Sequence, residues 1–160
     1  MNGQAQYKSE TGFGVIRYRD GIVEEITLPI RKQPPVDTGS HPVAIKVLAK
    51  DLTAYFAGEN PELRLPKGWG FDWEAVGDFR ARVYKEVARI PPGRTRSYSE
   101  IAEQVGSPRA ARAVGTAMAT NPFAPIVPCH RVVRADGTLG GYGGGLPLKR
   151  KMLRFEGVTK

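Results

Sequence analysis

Ser97–Thr120 reads SYSEIAEQVGSPRAARAVGTAMAT, and its punctuation decides how the second half of the chain folds. Ser97 with Glu100 three residues on has the pattern of a capping box, in which the side chains satisfy the first free N–H groups of a helix. A short helix over Tyr98–Val105 follows, and Gly106 makes a turn. Ser107 can then cap a second helix that has Pro108 at its first position and runs to about Thr120. Helix, short glycine-containing turn and helix is the outline of a helix-turn-helix. In the second helix Arg109, Arg112 and Thr116 share one face, and Ala110, Val114, Ala117 and Met118 share another. Ala111, Gly115 and Ala119 border the arginine face, so the backbone there can approach a neighbour closely. Packing on another helix and approach to DNA both fit this pattern, and the two exposed arginines favour DNA.

The next stretch, Asn121–Gly145, is NPFAPIVPCHRVVRADGTLGGYGGG and holds the single cysteine of the chain beside one of its two histidines. A free cysteine is usually a small buried hydrophobe, and its neighbours decide whether it is anything more. Here Pro122, Pro125 and Pro128 recur every third residue. Each fixes φ, removes a donor and pushes the preceding residue towards extended conformations. The spacing predicts a stiff ribbon that delivers Cys129 and His130 to a defined place. Adjacent side chains of an extended ribbon point to opposite sides, so either the ribbon turns at Cys129 or a water links the two. His130 needs a third group to orient it as a base, and Glu156 near the end of the chain can supply one. A solvated Glu156 is the plainer alternative, though an anion at a helix end is slightly unfavourable. Gly140–Gly145 (GGYGGG) reads as a flexible linker or as a wall that closes over a flat ligand, with Tyr142 to stack on it.

The charge is divided unevenly. The chain has 160 residues and a net charge of +8. Residues 1–72 carry 9 Lys/Arg and 9 Asp/Glu, whereas residues 73–160 carry 15 and 7, so the whole excess lies with Cys129. This asymmetry suggests a polyanionic partner for the second half. No apolar run approaches the roughly 20 residues of a membrane span, and the N-terminus has no apolar signal segment. One cysteine cannot form an intrachain disulfide, and with two histidines it makes a poor zinc site, so no metal or cofactor is expected. A cytoplasmic location is the default expectation.

Two domains are expected, 1–72 and 73–160. In the first, apolar residues alternate loosely over 5–30 with Asp20-Gly21 as a hairpin signal, predicting two or three antiparallel strands. Arg31–Ser40 reads as loop. Val43, Val47, Leu48, Leu52, Tyr55 and Phe56 have helical spacing, and Gly58 supplies a stop. No titratable cluster is visible there, so residues 1–58 read as scaffold, and 59–72 as an ordered linker. In the second domain, Phe79, Val83, Val87 and Ile90 mark a helix ended by Pro91-Pro92-Gly93. Leu148–Glu156 is a basic amphipathic helix stopped by Gly157. The fold class is α+β: a small antiparallel sheet with a helix, then a mainly helical domain.

Residues 121–133 (NPFAPIVPCHRVV), with GGYGGG and Glu156, resemble the active site of the O6-alkylguanine-DNA alkyltransferases. RTRSYSEIA and PRAARAVGTAM match that family's helix-turn-helix, and the likeness runs from about Phe79 to Gly157. The first 70 residues agree in layout only, which implies a ribonuclease-H-like domain followed by a winged-helix-like one. The resemblance implies that Cys129 takes the alkyl group from O6 of guanine, or from O4-alkylthymine. It implies that His130, through a water and held by Glu156, removes the thiol proton, and that Asn121 shapes the bend below the site. Tyr98 offers its hydroxyl to the flipped base, and Arg112 fills the gap from the minor groove. The carbonyls of Cys129 and Val132 read the guanine amino group, while Tyr142 and the N–H of Gly143 line the pocket. DNA contacts are implied for Arg112, Arg109, Ala111, Gly115, Ser99 and Ser107.

The chain departs from the pattern at two places. Gly143 stands where some members have a hydroxyl side chain, and Ala124 where some have proline. The zinc-binding cysteines of some members' first domain are absent. The implied partner is double-stranded DNA carrying O6-alkylguanine, met by a monomer with no obligate protein partner. The thioether product is not exchangeable as a disulfide is, so each molecule is expected to act once. The rival expectations are a lesion binder without transfer, a helix-turn-helix regulator and a multiple-turnover Cys–His hydrolase. The short side chains beside Arg112 make base-edge reading by a regulator poor.

Overall fold

A computed structural model describes residues 1–158. The chain divides into two compact units, Met1–Asp72 with Pro122–Ile126, and Trp73–Asn121 with Val127–Lys160. Five residues from the proline-punctuated stretch therefore pack with the first unit, although 1–72 and 73–160 are the spans that composition suggests. No helix among the described residues is long and apolar enough to cross a membrane.

The first unit is a sheet with one helix on it. Strands β1 (Asn2–Ser9), β2 (Gly12–Arg19) and β3 (Ile22–Ile26) are antiparallel neighbours. The β2–β3 loop is Asp20-Gly21, with φ of 47° and 83°, the two left-handed residues that a tight hairpin of matching twist requires. A register shift between Arg17 and Tyr18 marks a bulge in β2–β3. Gly14 stands opposite Tyr7 in β1, and a Cβ there would overlap the tyrosine ring.

Helix α1 (Val43–Phe56) packs on β1 and buries Ile45, Leu48, Leu52, Tyr55 and Phe56. The expected apolar stripe is corrected at its start. Val43 and Val47 are 75% and 47% exposed, while Ile45 is wholly buried. Ile45 falls in phase with Leu48 and Leu52 at helical spacing, and the two valines lie off that line.

The expected linker is also more than a connection. Gly70–Phe71 forms β4, parallel to β3, giving the sheet order β1-β2-β3-β4. A two-residue strand is too short to show any alternation in sequence. Within Pro122–Ile126, the Pro122 carbonyl accepts from Ile26 N–H at 2.7 Å and the Phe123 ring stacks on Phe71 at 4.3 Å.

This unit does hold a titratable cluster, contrary to expectation. Tyr18 OH lies 2.8 Å from His41 Nδ1, and His41 Nε2 lies 2.8 Å from Asp37 Oδ1. Three residue types spread over 24 positions form one chain only when the 31–40 loop folds back over the sheet, which local sequence does not announce.

The second unit is mainly helical: α2 (Trp73–Val76), α3 (Asp78–Val87), α4 (Tyr98–Gln104), α5 (Ala111–Ala119) and α6 (Leu146–Phe155). Two short parallel strands, β5 (Arg96–Ser97) and β6 (Val132–Val133), join them. Ser97 caps α4 as expected, its Oγ accepting from Glu100 N–H at 3.1 Å.

Helix α5 begins later than expected. Ser107–Ala110 form a turn closed by Ala110 N–H donating to Ser107 O at 2.8 Å, and no side chain caps the helix. Arg109 consequently precedes α5 and does not share a helical face with Arg112. Val114, Ala117 and Met118 face the core, and Tyr84 OH of α3 donates to the Ala117 carbonyl at 2.7 Å. Helix α6 starts at Leu146, after Gly145 at φ 92°, and leaves Glu156 as its C-terminal cap.

Candidate active site

The proline-punctuated stretch is a run of turns over 122–126 and not the extended ribbon expected of it, because three residues of fixed φ close together bend the chain repeatedly. After Pro128 it turns again through a 3-10 turn, Cys129–Arg131. Turning is thus how two adjacent side chains escape the opposite-sided geometry of an extended segment. Asn121 secures the approach, donating from Nδ2 to the Val127 carbonyl at 2.8 Å. That bond joins the two ends of the five-residue excursion into the first unit. Cys129 is 5% exposed and His130 is fully buried.

Cys129 lines a cavity of about 510 Å³. Tyr98 of α4, Gly115, Met118 and Ala119 of α5, Arg134, and Gly140–Gly143 complete its wall. The small side chains on α5 have a visible use: Gly115 faces Tyr98, and a Cβ there would touch the tyrosine ring at 4.0 Å. Across from α5, Gly140 adopts φ 71°, and a Cβ on it would lie 2.9 Å from Tyr98 OH. Both the left-handed conformation and this close approach demand glycine. At Gly141 and Gly143 a Cβ would meet nothing within 4 Å, so these glycines leave the mouth open.

His130 sits beside a buried ion pair. Its Nε2 is 2.8 Å from Glu156 Oε2. Arg131 holds the same carboxylate with two bonds of 2.8 Å, from Nε to Oε1 and from Nη2 to Oε2, and Nη1 donates to the Ile90 carbonyl at 2.6 Å. Burial by itself would raise the Glu156 pKa, but the hydrogen bonds and charges of Arg131 and His130 prevail and hold it down at about 2. Burial pushes the His130 imidazole below its usual value, against the pull of Glu156. A carboxylate can only accept, so neutral His130 must carry its proton on Nε2, which places the basic lone pair on Nδ1.

Lys149 is the other buried charge. It is wholly buried, and its ammonium donates to the carbonyls of Leu139, of Val132 at 2.9 Å and of Gly141 at 3.3 Å. It also lies 5.9 Å from the Tyr142 ring centroid. Burial pushes its pKa down to about 8, while the Cys129 thiolate would raise it. Burial pushes the Cys129 thiol up, opposed by hydrogen bonds from Asn121 and Tyr142 and by the Lys149 charge. Tyr98 is raised by burial and by the Cys129 charge, with Arg134 opposing. At neutral pH the resting groups are therefore a thiol, a neutral imidazole, a carboxylate and an ammonium.

Among the residues singled out by sequence, Cys129, Tyr98, Gly115, Tyr142 and Gly143 meet around one cavity, and His130 with Glu156 forms a buried pair next to Cys129 in the chain. Val132 is buried outside the wall, and one lone pair of its carbonyl already accepts from Lys149. Arg112 lies exposed on α5, Arg109 and Ser99 are also exposed, and Ala111 and Ser107 are partly covered; none of the five lines the cavity. Sequence reasoning passed over Arg131, Lys149 and Arg134. A signal existed for the first: an arginine inside the apolar run after Cys129-His130. Lys149 is hidden among the other cations of α6, and only packing separates it from them.

Comparison with known proteins gives the family of the chain. The family model described as the DNA-binding domain of 6-O-methylguanine DNA methyltransferase matches residues 78–158. The methylated-DNA–protein-cysteine methyltransferase of Mycolicibacterium paratuberculosis is 42% identical over 153 residues, covering 92% of this chain and 88% of its own length. That of Methanothermobacter thermautotrophicus is 38% identical over 147 residues, covering 91% and 80%. Among solved structures, Mycobacterium tuberculosis OGT in complex with DNA superposes with a TM-score of 0.78 at 38% identity, covering 96% of this chain and 91% of that one. With half the chain matched by the family model and nearly all of it aligned to such relatives, the chain belongs to the methylated-DNA–protein-cysteine methyltransferase family.

Proposed function

We propose that this chain repairs DNA by accepting, once per molecule, the alkyl group of O6-alkylguanine on the sulfur of Cys129. The observation that carries the reading is Cys129 in a cavity whose wall includes α5 of the helix-turn-helix. The membership established above supports the substrate class, and so does the DNA bound to the M. tuberculosis structure. The target carbon is shielded within a duplex, so the nucleotide must be everted, at a cost of a few kcal/mol. Arg112, exposed on α5, is suited to fill the vacated stack from the minor groove, with Arg109, Ala111, Gly115, Ser99 and Ser107 near the backbone. O4-alkylthymine would be accepted by the same chemistry. In this reading the first unit is a ribonuclease-H-like support and the second a winged-helix-like module.

The transfer is a displacement at an sp³ carbon. His130 Nδ1, directly or through a water, takes the thiol proton, and Glu156 and Arg131 hold the imidazole for that task. The sulfur electron pair forms the S–C bond as the C–O6 bond breaks, and O6 takes a proton from Tyr98 as guanine leaves. The Lys149 ammonium stabilises the thiolate as it forms in a dry site. Asn121 and Tyr142 add hydrogen bonds to the same sulfur, and Val132 and Gly143 offer backbone groups to the base. The thioether remains on the protein, which ends its activity.

The test is a titration of the protein against duplex DNA containing O6-methylguanine, followed by mass measurement. Transfer adds one methyl group per molecule, on Cys129, and Cys129→Ser gains none. A mass unchanged with the parent protein would leave only a lesion binder or regulator, and repeated turnover would indicate a hydrolase.

A further inference from the structure

The cavity wall contains one cation that the reaction above does not use. Arg134 follows β6 at the start of a tight turn, and its side chain is exposed where Cys129 is buried. Its backbone is pinned on both sides: its N–H donates to the Thr138 carbonyl at 2.9 Å, and its carbonyl accepts from Gly137 N–H at 2.9 Å. The carboxylate on the same turn, Asp136, feels the Arg134 charge, but its Oδ1 accepts from Thr138 N–H at 2.9 Å and lies 2.7 Å from Thr138 Oγ1. Arg134 lines the same cavity as Tyr98, and its charge stabilises the ionised form of Tyr98 and disfavours the charge on Lys149. A fixed backbone thus holds an exposed guanidinium over the mouth of a cavity with the reactive sulfur inside.

A nucleotide entering such a cavity goes in base first. Once the base reaches Cys129, the sugar and its phosphodiesters stay at the mouth. We propose that Arg134 grips a phosphodiester of the everted nucleotide, so that the backbone is captured only when the base is inserted. The inference rests on the alkyl-transfer reading above and adds a positioning residue to it. A guanidinium suits this position better than an ammonium, because its planar fork meets two phosphate oxygens at once. An arginine here also differs in kind from Arg112. A contact made only in the everted state favours that state over the stacked one, whereas a contact made in both shifts nothing between them.

The experiment compares the parent protein with Arg134→Ala and Arg134→Lys on three probes: duplex DNA with O6-methylguanine, the same duplex undamaged, and the free base O6-methylguanine, which has no phosphate. Transfer is measured as a second-order rate constant at several salt concentrations, and undamaged binding as an affinity. Loss of one charge-assisted contact should make the Arg134→Ala deficit on damaged duplex about tenfold larger than its deficit on the free base, with Arg134→Lys between. The slope of log rate against log salt on duplex should fall by about 0.9. The deficit in binding undamaged duplex should be several-fold smaller than that on damaged duplex. Equal deficits on duplex and free base would mean that Arg134 shapes the pocket, and equal deficits on damaged and undamaged duplex would mean general surface charge. Either result, or no deficit at all, overturns the inference. A parent protein that takes no methyl group from any probe removes the alkyl-transfer reading itself, and the inference with it.

Discussion

Each unit of this molecule holds a histidine paired with an acid, with a potential nucleophile bonded to it in the first and next to it in the chain in the second, and only one of the two arrangements is equipped to react. In the first unit Asp37 and Tyr18 flank His41; in the second Glu156 pairs with His130 next to Cys129. Both acids are held ionised by their partners, although Asp37 is exposed and Glu156 buried. Partial desolvation would raise Asp37, and the N–H donors of Gly39 and Gln6 together with His41 lower it, as Arg131 and His130 lower Glu156. What differs is the space beside the nucleophile. Tyr18 is 1% exposed, is met edge-on by Trp69, and adjoins Gly3, where a Cβ would overlap the tyrosine hydroxyl. Cys129 is nearly as buried but faces a cavity, with a buried ammonium acting on its sulfur. A hydrogen-bonded relay of titratable groups is thus a means of fixing a loop unless a substrate has room to reach it.

The contrast can be broken most severely at Glu156. Glu156→Ala leaves Arg131 and His130 buried without their anion, a loss of about 3–5 kcal/mol, and transfer should fall at least about a hundredfold. Chemical denaturation and single-turnover transfer read the two effects; a variant as fast as the parent would detach the His130 pair from the reaction. Lys149→Met comes next. It removes the charge on the thiolate side and should slow transfer by about 10–100-fold, with a pH–rate profile displaced to higher pH because the thiol is harder to ionise. A lowered rate with an unmoved profile would make Lys149 purely a tie between the Leu139 and Gly141 strap and Val132.

Gly140→Ala tests the wall itself. A left-handed backbone and a Cβ meeting Tyr98 OH should cost about 1–3 kcal/mol and slow transfer by an order of magnitude. Parent-like melting and transfer would show that the strap moves aside freely. The smallest effect is expected at the non-reactive relay: Asp37→Asn should lower Tm by a few degrees and leave transfer at the parent rate.

The acid limb sharpens the same comparison. Glu156 and Asp37 have depressed pKa values in the folded state, so their contributions are present above the ordinary carboxylate range and lost as pH falls through it, for Glu156 towards about 2. His130, depressed by burial, adds a loss that begins near its unfolded value of about 6.5. Melting temperature should therefore fall steadily from pH 6.5 downwards. Asp37→Asn should flatten only the most acidic part of that curve; an unaltered curve would mean that Asp37 is not held by its partners.

Much of the second unit was legible because its signals are local. The cap at Ser97, the turn at Gly106, the stop at Gly157 and the conjunction of one cysteine with prolines and a histidine each occupy a few adjacent residues. Where α5 begins was less legible, since Ser107 and Pro108 have the composition of a helix start yet form a turn closed by backbone alone. In the first unit, the Asp20-Gly21 hairpin needs no partner beyond its own strands. The relay of Tyr18, His41 and Asp37, and the pairing of Pro122–Ile126 with the sheet, join positions that only folding brings together.

The amino-acid order alone settled which residue types could do the chemistry, where helices cap and stop, and that the basic excess lies with Cys129, because propensity, spacing and charge are properties of neighbours along the chain. Tertiary structure decided which of the charges are buried. It selected Lys149 from the cations of α6, made Arg131 a support for Glu156, and set Arg134 at the mouth of the cavity. Desolvation depends on what surrounds a group in space, and that is written in no short stretch of sequence.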